Sequence, residues 1–172
     1  MKILPLKNCT PIINKTAFKN TRNPLNLYRM MEMYSMERKE KFPRIQAILN
    51  CIDSIFHNCK MRVVKDDKGD ILASYTYRFC KNYLDERTMF LDALVRNRKK
   101  PESKLFLSEV YEDVKNIALS KKVKELNLFS MAKDVNLRKK YEQLGFKIDE
   151  KIYIEKAYLM KVNIDDFIKS KN

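Results

Sequence analysis

The chain has 172 residues, enough for one domain with a hydrophobic core. It is 45% hydrophobic and 34% charged, with no run of about eighteen apolar residues, which excludes a membrane-spanning helix. Thirty-six Lys and Arg against 22 Asp and Glu leave a formal charge of +14, which favours acidic partners: nucleic acid, an anionic cofactor or an acidic protein face.

Residues 1–24 contain five basic residues, no acidic ones and three prolines, and are expected to form an irregular basic arm ahead of a domain spanning 25–172. The apolar start Ile3-Leu4-Pro5-Leu6 is too short for a signal peptide. Cys9, Cys51, Cys59 and Cys80 lie far apart and form no CxxC pair. The single histidine, His57, is not grouped with a cluster of acids. These spacings argue against a zinc site and for reduced cysteines in a cytoplasmic protein.

Leu27, Met30, Met31 and Tyr34 recur at helical spacing up to Pro43. Ile45, Ile48, Leu49, Ile52, Ile55 and Phe56 form a second, cleaner helical stripe. Such stripes most often pack in a core, although a Met-rich helix also suits the wall of a cleft. A hairpin follows: MRVVK alternates, DDKGD turns at Gly69, and ILASYTYRF alternates again. Ala73, Tyr75, Tyr77 and Phe79 fall on one face of its second strand.

The most informative stretch is TMFLDALVRNRKKPESK. It reads as a strand over Met89–Val95, a basic loop over Arg96–Lys100, and a helix from Pro101 to about Ser120. A strand that enters a helix through a basic loop offers free N–H groups, a positive dipole end and cations. That combination suits a phosphate, and it also suits a solvated basic turn with no ligand. Glu125–Met131 reads as a short strand, and Asn136–Leu144 as a helix stopped at Gly145. Phe146–Ile154 and Lys156–Val162 read as closing strands, and Asp165–Lys169 as a terminal helix. The pattern predicts an α/β (α+β) domain with a mixed, mostly antiparallel sheet and helices on both faces.

This order, with KELNLFSM, NLRKKYEQLGF and the hairpin RVVKDDKGDILASY, resembles the GNAT superfamily of acyl-CoA N-acyltransferases over about residues 26–162. By that resemblance Arg98–Ser103 falls on the pyrophosphate loop. Pro101 and Ser103 stand where the family has glycines, and Glu102 adds a negative charge. The resemblance implies acetyl-CoA as co-substrate and an amine-bearing acceptor. Cofactor contacts would fall on Leu94 and Val95, on Arg98, Lys99, Lys100, Glu102, Ser103 and Lys104, and on Asp134 and Asn136. Tyr141 matches the family's proton donor to the departing thiolate. A phenol, with a pKa near 10, stays protonated at neutral pH; the other use of Tyr141 is packing on the sheet. Asp92, inside an apolar strand, is the candidate general base if buried, and an ordinary ion-pair partner if not. The expected function is acetyl-CoA-dependent N-acetyltransfer. Its rival is a GNAT-shaped module, catalytically idle, that uses its basic surface on nucleic acid or an acidic protein.

Overall fold

The structure is a computed structural model and describes residues 19–21, 23–100, 106–152 and 156–170; for 19–21 and 106–108 it describes the backbone alone. Twelve elements follow in chain order: β1 (Lys19–Thr21), α1 (Pro24–Glu37), α2 (Pro43–Phe56), β2 (Lys60–Lys65), β3 (Ile71–Lys81), β4 (Arg87–Arg96), α3 (Phe106–Ser120), β5 (Glu125–Met131), α4 (Val135–Gln143), β6 (Lys147–Ile152), β7 (Ala157–Asn163) and α5 (Ile164–Lys169). They build a seven-stranded sheet in the order β1-β2-β3-β4-β5-β7-β6. Its one parallel pair among the described residues is β4–β5, joined by the crossover helix α3. The remaining pairs are antiparallel, so the expected fold class is the observed one. The end of the expected arm, residues 19–21, forms β1 on the edge of β2. No described helix is long and apolar enough to cross a membrane.

Local chemistry accounts for the main boundaries. Asn23 caps α1 by accepting the Leu25 N–H at 2.9 Å, and Pro24 follows in the first turn. Pro43, expected to break the chain, also opens α2 from its first turn. In the β2–β3 turn, Asp66 Oδ1 accepts the N–H groups of Lys68 and Asp70, while Gly69 takes φ +83°.

Two cores flank the sheet. On one side α3, α4 and α5 bury Val110, Val114, Ala118, Tyr141 and Phe167 against Ala73, Tyr75, Met89, Leu126 and Met160. Asp113 ties α3 down by accepting from the Tyr75 hydroxyl (2.6 Å) and Arg62 Nε (2.9 Å). On the other side Met30 of α1 meets Met61, Val63, Ala93 and Val95. Met89 and Val95 have the same parity on one strand yet belong to opposite cores. The reason is a β-bulge: Thr76 pairs with Ala93 and Tyr77 with Leu91, which leaves Asp92 as the extra residue. An inserted residue reverses the in/out alternation beyond it.

The α2 helix departs from the usual fate of an apolar stripe. Ala47 and Ser54 are buried while α2 packs on α1, and the stripe Ile45, Ile48, Leu49, Ile52, Ile55 and Phe56 is exposed. The repeat predicts the helix and its apolar side, but not what covers that side.

Candidate functional site

Pairing between β4 and β5 ends at Leu91↔Leu128, although both strands continue. Past that point they separate, and a cavity of about 1000 Å³ opens between them. Leu91–Leu94 line it from β4, and Leu128, Phe129 and Met131 from β5. The last turn of α1 contributes Tyr34, Glu37 and Arg38, and the start of α4 contributes Asp134 to Leu137. Beyond Leu91 the β5-facing backbone of β4 has no strand partner in the ladder, so its N–H groups are available to a ligand.

Tyr141 lies in this cavity and is the buried residue of α4, 8% exposed. Its position follows from the sequence YEQLGF. Gly145, at φ +87°, ends the helix; the Gly145 N–H donates to the Glu142 carbonyl and the Phe146 N–H to the Tyr141 carbonyl, both at 3.0 Å. This is a Schellman stop, which brings the residue after the glycine back over the last turn. The Phe146 ring accordingly sits 5.8 Å from the Tyr141 ring and fixes it. Any larger residue at 145 would put a Cβ 3.2 Å from Val162 Cγ2, in a conformation that L side chains rarely adopt. The Tyr141 hydroxyl has no hydrogen-bond partner among the described residues. Its pKa is raised, first by burial and then by Tyr111, Tyr34 and Asp134, so it remains a donor at any physiological pH.

Asp92 also lines the cavity, because the bulge sets it there. Its carboxylate pairs with Arg78 Nη2 at 3.3 Å and accepts from the Cys59 thiol at 3.3 Å. Burial lifts the Asp92 pKa above its ordinary 3.8, against the opposing pull of Arg78 and Cys59. Asp92 is thus half-buried and paired at once, so its two sequence-based alternatives coexist. Cys59 is pushed up to about 12, by burial first and then by Asp92, which leaves a thiol donor rather than a nucleophile.

The other expected site residues scatter more. Leu94 lines the cavity, whereas the Val95 side chain is 1% exposed and faces α1, leaving only its main chain for a ligand. Arg98 reaches the cavity with Nε 2.8 Å from Glu37. Lys99 is exposed, and its ammonium has no partner among the described residues. Lys100 lies off the cavity and pairs with Asp66 and, at 2.7 Å, with Asp70. Asp134 and Asn136 both line the cavity; Asp134 occupies the cap position of α4 without a side-chain cap bond. Pro101, Glu102, Ser103 and Lys104 lie outside the described residues. Sequence reasoning missed Glu37 and Arg38, polar residues at the end of a helix, where nothing in the spacing marks a site. It also missed Cys59 and Arg78, which reach Asp92 only through the bulge and the turn after α2.

No family model matches the chain, and no curated protein does. Solved structures do. A GNAT-family acetyltransferase from Listeria monocytogenes is 14% identical over 85% of this chain and 94% of its own, with a TM-score of 0.62. The chain has the GNAT fold. Mutant forms of the spermidine/spermine N-acetyltransferase from Vibrio cholerae match at 12% identity over 91% of this chain and 98% of theirs, TM-score 0.60. The AtaTR structure bound with AcCoA matches at 12% identity over 91% and 98%, TM-score 0.58. At these identities the likeness establishes the GNAT fold, with its single parallel pair opening into a cleft, and leaves the chemistry to the residues of this chain.

Proposed function

We propose that this GNAT-fold chain is an N-acetyltransferase that moves an acetyl group from acetyl-CoA to a primary amine. The observation that supports it is the pairing, on one cleft, of a proton donor with no partner and a carboxylate of raised pKa: Tyr141 and Asp92. Two of the neighbours add support of their own, one bound with AcCoA and one acting on spermidine and spermine. The cleft suits a thioester, since it lies between two strands, is lined largely by apolar side chains and is edged by β4 backbone that has no strand partner in the ladder.

In this reading the amine attacks the thioester carbon directly. A C–N bond forms as the C–S bond breaks, with no covalent enzyme intermediate. An N–H of β4 beyond the bulge stabilises the developing oxyanion. Asp92 takes the amine proton, and Tyr141 gives its proton to the departing thiolate and recovers one from solvent. Arg98 at the cavity edge and the exposed Lys99 supply positive charge for the diphosphate. The rest is positioning of two substrates, worth many orders of magnitude by itself.

Calorimetry with acetyl-CoA tests the reading. Micromolar binding, roughly −8 kcal/mol, is expected, with a matching rise in melting temperature. No heat up to millimolar ligand at low salt removes the enzyme reading. It would leave the second one, a binding module for polyanions, which the +14 charge favours and whose affinity must fall steeply with salt.

A further inference from the structure

The outer face of α2 is an extended apolar surface among the described residues. Ile45, Ile48, Leu49, Ile52, Ile55 and Phe56 are between 45% and 83% exposed, and Phe42, at the cap of the same helix, is 60% exposed. Together they present on the order of 800 Å² of apolar surface, beyond what a monomer ordinarily leaves contiguous and about what each side of a standard interface buries. No described element packs on them.

Three properties say what fits there. The positions repeat as two heptads, with Ile45 and Ile52 first, Ile48 and Ile55 fourth, and Leu49 and Phe56 fifth. This is the spacing of a seam between helices. The seam is also its own complement. Reversed about Asn50, position 45 falls on 55 and 48 on 52, and all four are isoleucine. A twofold interface needs that property, since each patch must meet its own copy in reverse. Finally, α2 carries one Arg and one Asp, Arg44 and Asp53, in a chain of formal charge +14. It is therefore a face on which repulsion between two such cations is lessened, and one that offers little to an acidic partner. Two heptads are too short to associate as a free peptide. Here α1 already holds the helix in place through Ala47 and Ser54, so that ordering cost is met before association.

We infer that α2 is a homodimer interface, with the α2 helices of two copies antiparallel, so that Ile45 of one copy meets Ile55 of the other and Ile48 meets Ile52. The pair of helices α1 and α2 also walls the cleft through Tyr34, Glu37 and Arg38, so dimerisation would stiffen that wall. The inference does not depend on the proposed reaction.

Sedimentation of the full chain at about 10 µM should show a dimer. I48E and I52K should each give a monomer, weakening association about a hundredfold or more, because each buries an unpaired charge against isoleucine. The double variant I48E/I52K should dimerise again, since the register brings the new charges together twice, and a merely misfolded chain could not recover in this way. Circular dichroism of the single variants should match the parent, because both positions are about half exposed in the monomer. Three results overturn the inference: a monomeric parent, whether or not it dimerises once residues 1–18 are removed; single variants that stay dimeric; or a double variant that stays monomeric.

Discussion

The two ends of the cleft are prepared differently. At the α4 end the Tyr141 hydroxyl has no partner among the described residues, and the residue lines the cavity. At the loop after β4, Arg98 is held by Glu37, and Lys100 by Asp66 and Asp70, whereas the Lys99 ammonium has no partner among the described residues. One end presents an unpartnered hydroxyl, and at the other Arg98 and Lys100 are paired within the chain. Magnitudes decide whether this matters. An exposed ion pair contributes about 0–1 kcal/mol, whereas a hydrogen bond to a charged group is worth about 1.5–3 kcal/mol. Releasing Arg98 from its exposed pair with Glu37 therefore costs a diphosphate only about 0–1 kcal/mol, and the two ends should respond very differently to substitution.

The largest effect should come from Tyr141→Phe. The ring and its packing on Phe146 stay, and only the donor is lost. Acetyl transfer should fall roughly 10²–10⁴-fold while acetyl-CoA affinity and melting temperature hold. A fall in melting temperature instead would mean that the hydroxyl has a structural partner, and the contrast between the two ends would disappear.

Asp92→Asn should be next, with kcat down about 10²-fold. The more telling measurement is the pH profile. If Asp92 is the base, kcat/KM rises with pH as the carboxyl loses its proton, with a midpoint above the ordinary 3.8. Arg78 and Cys59 pull that value down, so Arg78→Gln or Cys59→Ala should move the midpoint to higher pH. A midpoint that stays fixed in both variants would assign the limb to another group.

These sites differ in how far the sequence announces them. The Tyr141 clamp is legible because a Schellman stop is local: Tyr, Gly and Phe at fixed spacing specify it. The hairpin turn at Gly69 and the faces of β3 are legible for the same reason. The bulge at Asp92 is not, since it is a choice of cross-strand partner between Thr76 and Tyr77, and alternation along β4 reads through it unchanged. Hence alternation puts Leu94 and Val95 on opposite sides of the sheet, but only the bulge decides that Leu94 is the one at the cavity. The partners of the loop cations are hidden by distance, because Glu37 lies 61 residues from Arg98 and Asp66 lies 34 from Lys100. The α2 stripe is the opposite case: a strong local signal whose meaning depends on a neighbour that the sequence pattern does not specify.

A smaller effect is expected at the loop itself. Arg98→Ala should weaken acetyl-CoA about tenfold, the equivalent of one charge-assisted contact. Glu37→Gln should tighten binding by a few-fold, because it frees Arg98 without removing it. If Glu37→Gln weakens binding instead, Glu37 is positioning Arg98 rather than competing for it.

The smallest effect should come from Lys100→Met, and it settles which task that lysine has. As a phosphate ligand it would resemble Arg98, and its loss would lower acetyl-CoA affinity by a similar factor. As a tie across the β2–β3 turn it should leave affinity unchanged and lower the melting temperature slightly. The pH dependence separates the two. Lys100, through its hydrogen bond, holds the Asp66 carboxyl below its ordinary 3.8, so that contribution is present above 3.8 and is lost as pH falls through the lowered value. The Asp66 and Asp70 carboxylates raise the Lys100 pKa in turn, so its share is complete below the ordinary 10.5 and is lost only in strong alkali. The melting deficit of Lys100→Met should therefore be constant across neutral pH and shrink only in acid, as the pH falls through the lowered Asp66 value and Asp66 takes up its proton in both proteins. The geometry favours the tie: the ammonium sits between two carboxylates of one turn and outside the cavity lining, where a diphosphate would have to displace both acids to reach it.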